Sequence, residues 1–272
     1  MIEALSRVTV AVADLDLAAS AYEALLGRPG ARHEAQGGAR HALFQLSNMA
    51  LDLIQPDGVG SSGEQARARL AAAGEGLWSL VFAVSDLAEA RRMLGRRGAP
   101  ASDPGEGAAP GARDCAMIDP QATHGVSIAL TQTQAPCRSR PAFAADEVHG
   151  LDHVVIRTTN PDRALALYAA RLGLDFRLDR SNRQWGSRLM FFRCGDCVIE
   201  VGAALDVPVS AAPDQLSGLA WRVRDPDGAH ERMASARLDV SAVRPGRKPG
   251  TRVFTVRSGI AGGPALVIGG SD

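Results

Sequence analysis

Leu151-Asp-His-Val-Val-Ile-Arg157, followed after six residues by Ala164-Leu-Ala-Leu-Tyr-Ala-Ala-Arg-Leu-Gly-Leu174, is the stretch that decides the fold. Its first part is rich in β-branched residues and predicts a strand. Asn160 can then cap a helix through its side-chain oxygen, and Pro161 suits the first helical position. Apolar residues follow at helical spacing, at Leu165, Tyr168 and Leu172. The stretch therefore predicts a strand, a sharp turn and an amphipathic helix.

The same plan occurs four times along the chain. Each module opens with a β-rich run, at Val8–Val12, Leu80–Val84, Val154–Ile156 and Leu219–Val223. A potential helix cap follows each run, at Asp14, Asp86, Asn160 and Asp225. Beyond each helix a Gly-x-Arg triplet precedes another strand-like run, with its arginine at Arg40, Arg113, Arg188 and Arg252. Further strands close each module, so the plan is strand, helix and three strands.

Pairs of modules predict two domains. Modules at 1–56 and 76–132 form the first domain, 1–132, and modules at 148–205 and 215–272 form the second, 148–272. The stretch between the domains has the composition of a linker, with Pro136, Ser139 and Pro141. Because a helix separates the first two strands of a module, its first and last strands can run parallel.

The composition excludes several classes of function. Lys+Arg and Asp+Glu number 30 each, which argues against a nucleic-acid-binding protein. No apolar run reaches the length of a membrane span, and the first ten residues lack the pattern of a secretion signal. Four cysteines in 272 residues do not make a disulfide framework. We expect a cytoplasmic protein whose partner is a small molecule, with no nucleic acid and no membrane. A homodimer is compatible with the sequence.

Four βαβββ modules in two paired domains resemble the vicinal oxygen chelate superfamily, which includes glyoxalase I, extradiol dioxygenases and antibiotic-resistance proteins. In the first domain, Gly74–Leu77 and Ile118–Val126 resemble its methylmalonyl-CoA epimerase branch. The resemblance implies an α+β fold in which each domain is a pair of modules that form a curved, mixed eight-stranded sheet with helices outside. The fold alone does not name a reaction, because it hosts many chemistries.

The resemblance also implies metal-ligand positions early in the first strand and late in the last strand of each module. Counting seven residues back from each helix cap places the early positions at Arg7, Ser79, His153 and Gly218. The late positions fall at Asp52, Ala129, Glu200 and Val267. We expect no metal in the first domain, because an arginine is not a ligand and its charge repels a cation.

In the second domain, His153 and Glu200 remain, but Gly218 and Val267 offer no ligand. That loss disfavours ring cleavage with bound iron and four-ligand metal binding. Three interpretations of the surviving pair stay open. The pair is a divalent-metal site completed by water or substrate, a metal-free acid–base pair, or a polar pair that only hydrogen-bonds within the cleft.

Three further residues are candidates for contact with a substrate. Arg188 can hold a carboxylate, although the recurrence of an arginine in every module favours a structural ion pair. Trp185 and Phe191 can line an apolar pocket. Cys194 and Cys197 flank a Gly-Asp hairpin tip, which argues against a redox or zinc role.

The sequence thus predicts a glyoxalase- or dioxygenase-like enzyme. It would be a lyase, isomerase or dioxygenase-like protein that acts on a small carbonyl, enol or aromatic acid in the second-domain cleft. The catalytic candidates are His153 and Glu200, and no cofactor is predicted apart from the open alternative of a divalent metal held by that pair. The alternative function is a protein that sequesters a small molecule without catalysis.

Overall fold

The computed structural model describes residues 1–103, 115–133 and 142–270. Arg113 and the linker residues Pro136, Ser139 and Pro141 lie outside the described residues. No helix within the described ranges is long and apolar enough to cross a membrane.

The strands and helices follow the four-module plan. The first module consists of β1 (Ile2–Ala11), α1 (Leu15–Leu26), β2 (Ala31–Gln36), β3 (Ala39–Gln45) and β4 (Ala50–Pro56). After α2 (Ser61–Ala73), the second consists of β5 (Gly76–Val84), α3 (Leu87–Arg96), β6 (Ala101–Ser102), β7 (Cys115–Ile118) and β8 (Ser127–Gln132). The third consists of β9 (Gly150–Arg157), α4 (Pro161–Leu165), β10 (Asp175–Asn182), β11 (Ser187–Cys194) and β12 (Cys197–Ala204). The fourth consists of β13 (Gln215–Arg222), α5 (Pro226–Ser235), β14 (Asp239–Val240), β15 (Arg244–Pro245), β16 (Thr251–Ser258) and β17 (Ala265–Gly270).

The strands form two mixed sheets. The first has the order β2-β3-β4-β1-β5-β8-β7-β6, and the second has the order β10-β11-β12-β9-β13-β17-β16-β14. The predicted α+β fold class is confirmed. The second sheet has nine strands rather than eight, because the short strand β15 also pairs with β16. First and last strands of a module run parallel in the pairs β5–β8, β9–β12 and β13–β17, as predicted.

The predicted helix caps are present in every module. Asp14 accepts a hydrogen bond from Leu17 N at 2.9 Å, and Asp86 accepts one from Glu89 N at 2.8 Å. Asn160 accepts from Arg163 N, and Asp225 accepts from two backbone amides of the first turn of α5. These bonds satisfy amide groups that have no partner within the helix.

The helix of the third module departs from the predicted geometry. From Ala166 to Arg171 it widens to a π-helix, in which Leu172 N donates to Leu167 O at 2.9 Å. Leu165 was predicted to lie on the apolar face but is only partly buried, and Leu167 is fully buried beside Tyr168. The buried face of this helix is therefore formed by Ala164, Leu167, Tyr168 and Leu172.

The chain contacts define two compact units. One unit contains Met1–Arg7, Trp78–Ala135 and His153–Ser217, and the other contains Val8–Leu77, Pro136–Asp152 and Gly218–Asp272. The largest fully buried side chains of the first unit are Phe82, Tyr168 and Phe192. Those of the second unit are Tyr22, Phe44, Trp221 and Phe254. The domain boundaries 1–132 and 148–272 stay a prediction.

Candidate functional site

Side chains alternate between the two faces along β9, which places His153 and Val155 on the open face of the second sheet. Val154 and Ile156 point to the other face and are fully buried, while His153 and Val155 are partly exposed. β12 runs parallel to β9, and its Glu200 lies opposite Val155. The register therefore puts His153 and Glu200 on the same face of neighbouring strands.

The two side chains meet on this face. Nε2 of His153 lies 3.6 Å from Oε2 of Glu200, and the side chains are 16% and 18% exposed. The distance exceeds that of a hydrogen bond. It is nevertheless short enough for one ligand atom to contact both groups, so the predicted pair is brought together in a partly open position.

Glu200 lines an open cleft of about 550 Å³ in the first compact unit. Most of the lining is apolar or small, and it includes Val155, Trp185, Leu189, Val207 and Pro213. Arg157 lies in the same lining, two residues beyond Val155 on β9. The cleft thus combines an apolar wall with one carboxylate and one guanidinium, which is the usual composition of a small-molecule site.

The two predicted aromatic residues occupy different places. Trp185 stands in the cleft wall at 43% exposure, on a short 3₁₀ turn of Arg183–Trp185 that Asn182 caps. Phe191 lies directly opposite Glu200 on β11, on the same face, but it is half-buried outside the cleft lining. Trp185 can therefore contact a ligand in the cleft, whereas Phe191 packs beside the carboxylate.

Arg188 lies on the opposite face of β11 from Phe191, together with the buried Met190 and Phe192. Its guanidinium donates to both carboxylate oxygens of Asp179, at 2.9 and 2.7 Å, and to Asp162 at 3.2 Å. Hydrogen bonding to Asp179 raises the pKa of Arg188 and holds the pKa of the Asp179 carboxyl below its usual value. The structure does not bring Arg188 to the face that bears Glu200, and its contacts support the structural ion pair.

The same ion pair recurs in other modules. Arg40 lies 3.3 Å from Asp16, and Arg252 pairs with Asp227. In each case, as in Arg188–Asp162, the aspartate is the second residue of the module's helix. The repeated arginine thus joins the third strand of a module to the start of its helix.

The carboxylate of the first module has a different partner. Asp52 is buried, and its Oδ1 lies 3.0 Å from Nδ1 of His41 on β3.

In the fourth module the late ligand position is Leu266 rather than the predicted Val267, because Ala220 pairs with Leu266 as Val155 pairs with Glu200. Val267 is fully buried on the other face. The late position is thus shifted by one residue from the prediction, and leucine, like valine, offers no metal ligand.

One wall of the cleft is held by the start of α4. The segment after β12 is tied to Thr159 by a 2.8 Å hydrogen bond from hydroxyl to hydroxyl with Ser210. Arg163 donates to Ala212 O at 2.7 Å and to the buried Asp214 at 2.6 Å. These bonds fix the chain that carries Val207 and Pro213 along the cleft.

The conserved sequence pattern of the glyoxalase/bleomycin resistance protein/dioxygenase superfamily matches residues 6–117 and 152–255, most of the chain. The chain belongs to that superfamily. The resemblance inferred from the four modules is therefore confirmed. No curated protein matches this chain significantly in sequence.

Two solved structures share the fold. A mutant 4-hydroxymandelate synthase from Streptomyces coelicolor superposes with a TM-score of 0.72 at 14% identity, covering 100% of this chain and 94% of that one. BphC, a halotolerant catechol dioxygenase, gives a TM-score of 0.66 at 12% identity, with 99% and 87% covered. At these identities the likeness shows the fold and not the reaction, because one fold hosts many chemistries.

The donors present do not fit a resident metal ion of the superfamily type. A catalytic metal is usually held by three protein ligands, and the described residues contain no group of three His, Cys, Asp or Glu side chains placed to bind one. His153 and Glu200 are two donors, and Gly218 and Leu266 add none. The pair offers at most a weak, partial site.

Cys194 and Cys197 flank the β11–β12 hairpin and are buried. Burial raises the pKa of the Cys194 thiol to about 12, which disfavours the reactive thiolate. This supports the expectation of no redox role.

Two residues of the site, Arg157 and Arg163, are not among those predicted from the sequence. Arg157 follows His153 and Val155 at the alternating spacing of a strand, so the period of two could have found it. Arg163 acts on the wall through Ala212 and Asp214, about fifty positions along the chain, and no local signal indicates such a contact.

Proposed function

We propose that the chain is an enzyme that acts on a small carbonyl, enol or aromatic acid in the cleft of the third module, with Glu200 and His153 as its acid–base pair. The observation that carries the proposal is that Glu200 lines a cleft of about 550 Å³ and that Nε2 of His153, just outside the lining, lies 3.6 Å from its carboxylate. Membership of a superfamily with dioxygenase-like structural neighbours supports an enzyme. We place it in the cytoplasm, as expected from the sequence.

The chemistry follows from the two side chains. A glutamate carboxylate can remove a proton from a carbon next to a carbonyl, and a positioned base of this kind contributes about 10²–10⁴-fold in rate. His153, beside it, can hydrogen-bond to the oxygen on which negative charge develops or return a proton. Trp185 and Val155 line the cleft and offer an apolar surface to the body of the substrate. The geometry favours proton transfer over chemistry that depends on a resident metal, because the donor set is incomplete.

A protein that sequesters a small molecule is the second candidate. The observation that favours it is the absence of ligand side chains at Gly218 and Leu266, which leaves half of the superfamily's ligand positions without a donor. In that case His153 and Glu200 contact the ligand without turning it over.

The test is solvent exchange. Wild-type protein is incubated in D₂O with a panel of small oxo and aryl acids, and deuterium uptake at carbon is followed by NMR. We expect exchange on at least one acid, a loss of about 10²-fold or more in Glu200→Gln, and a smaller loss in His153→Ala. If an acid binds but no carbon exchanges or converts, the sequestering function replaces the enzyme. If both variants fold and match the wild type, the pair has no role in either.

A further inference from the structure

Two charged side chains line the cleft, Glu200 and Arg157, and they differ in their ion-pair partners. Glu200 lies beside His153, whereas in the part of the chain that the structure describes the Arg157 guanidinium has no ion-pair or hydrogen-bond partner. The neighbouring arginines are different, since Arg163 is bonded to Asp214 and Arg188 to Asp179. Arg157 is thus a cation at the cleft wall that is open to a ligand.

The spacing along β9 separates this cation from the carboxylate. Val155 lies opposite Glu200, and Arg157 lies opposite Gly202, two residues farther along both strands. At the rise of a strand, two residues correspond to about 7 Å. The surfaces of Val155, Leu189 and Trp185 belong to the same cleft lining and are apolar.

We infer that Arg157 binds the carboxylate of an acid whose apolar or aromatic body lies against Val155, Leu189 and Trp185. Glu200 repels an anionic group, so the carboxylate is directed to the Arg157 end and the other end of the ligand faces Glu200 and His153. The separation favours acids in which several bonds lie between the carboxylate and the reacting atom. The assignment of the reacting end rests on the proposed function, whereas the anion site does not.

Isothermal titration with aromatic monocarboxylates tests the anion site. The probes are benzoate, phenylacetate and 3-phenylpropionate, each compared with its uncharged primary amide. Wild-type protein is expected to prefer the acid, with the longer acids bound more tightly. Arg157→Gln should weaken acid binding about tenfold or more and leave amide binding unchanged, because a charge-assisted contact is lost. The matched control is Arg183→Gln, which removes an exposed arginine from the turn that carries Trp185, outside the cleft lining.

Two results overturn the inference. In the first, no acid binds more tightly than its amide. In the second, Arg157→Gln and Arg183→Gln weaken acid binding equally, which would indicate a non-specific electrostatic attraction of the anion by positive charge. The proposed function fails separately. If Glu200→Gln retains full exchange activity while Arg157→Gln loses acid affinity, the acid–base role is wrong and the anion site stands. If Glu200→Gln abolishes exchange while Arg157→Gln changes nothing, the opposite holds.

Discussion

Two equivalent carboxylates have different surroundings in the first and third modules. Asp52 on β4 is 5% exposed and lies 3.0 Å from His41 of the adjacent strand. Glu200 on β12 occupies the same position in its module, is 18% exposed and lines the cleft. The first carboxylate is held within the sheet, and the second faces a space that a ligand can enter.

One residue of the third strand differs between the two modules at the position diagonal to the carboxylate. His41 follows Arg40, pairs with Ile54, and so stands two residues beyond Asp52 across the strands. Leu189 follows Arg188 and pairs with Gly202, the matching position beyond Glu200. A histidine at that place reaches the carboxylate diagonally, whereas a leucine forms an apolar wall. The structural carboxylate thus has a histidine at this position, and the candidate catalytic carboxylate has a leucine.

The largest expected effect comes from placing the histidine in the third module. Leu189→His should hydrogen-bond to Glu200 as His41 does to Asp52, and it also fills part of the cleft. We expect deuterium exchange to fall by about 10²-fold, as expected for loss of a positioned base. Leu189→Met is the control of similar volume, and its exchange should stay within a few-fold of wild type. Full activity in Leu189→His would show that this position does not govern Glu200.

The reverse change in the first module affects stability. His41→Leu removes a hydrogen bond from a carboxylate that is almost fully buried, and we expect a loss of about 1–3 kcal/mol in the free energy of unfolding. Urea denaturation measures it. His33, which lies opposite His41 on β2 and is exposed, provides the control. An equal loss in His33→Leu and His41→Leu would argue against a structural role for the Asp52 contact.

The arginine of the third strand is expected to have a smaller effect. Arg188→Lys loses the two parallel bonds to Asp179 and should cost about 1 kcal/mol, while Arg252→Lys, at an exposed pair, should cost less than about 0.5 kcal/mol. The pKa of Asp179 is lowered in the folded state, so this stabilisation is complete above the usual aspartate range and is lost as the pH falls through the folded value. The difference between wild type and Arg188→Lys should therefore shrink in acid.

The same variant tests the substrate role that the sequence allowed. Since Arg188 lies on the face opposite Glu200, acid affinity should be unchanged in Arg188→Lys. A drop in affinity without a drop in stability would contradict the placement.

Metal removal should have the smallest effect. Because His153 and Glu200 are two donors, dialysis against a chelator should leave the melting temperature unchanged. Added Zn²⁺ or Mn²⁺ should raise it by less than the roughly 2–4 °C that 1 kcal/mol produces in a domain of 150–250 residues. A larger rise that His153→Ala abolishes would show that further ligands complete the site. Elemental content of the purified protein gives an independent measure.

The local features of the fold could be predicted from the sequence. Each cap and each opening strand depends on residues close together in the chain, such as Asn160 and Arg163. The parallel pairing within modules followed from the helix that separates the first two strands. The pairing of His153 with Glu200 also followed, because the repeat fixed the register of the two strands.

The remaining features depend on which face a residue occupies. A shift of one position exchanges Leu266 for Val267 and moves the side chain from one face to the other. Arg188 lies on the face of β11 opposite that of its neighbour Leu189, which lines the cleft. The contact between His41 and Asp52 joins two strands diagonally, which spacing along the chain does not reveal.

The most direct test compares Glu200→Gln with Asp52→Asn in one pair of measurements, exchange activity per folded molecule and free energy of unfolding. We expect opposite results, with Glu200→Gln losing about 10²-fold or more of activity at nearly wild-type stability. Asp52→Asn should lose about 1–3 kcal/mol of stability while its folded fraction remains fully active. Equal losses of activity in the two variants, or full activity in Glu200→Gln, would contradict the claim that the third-module carboxylate is the catalytic one.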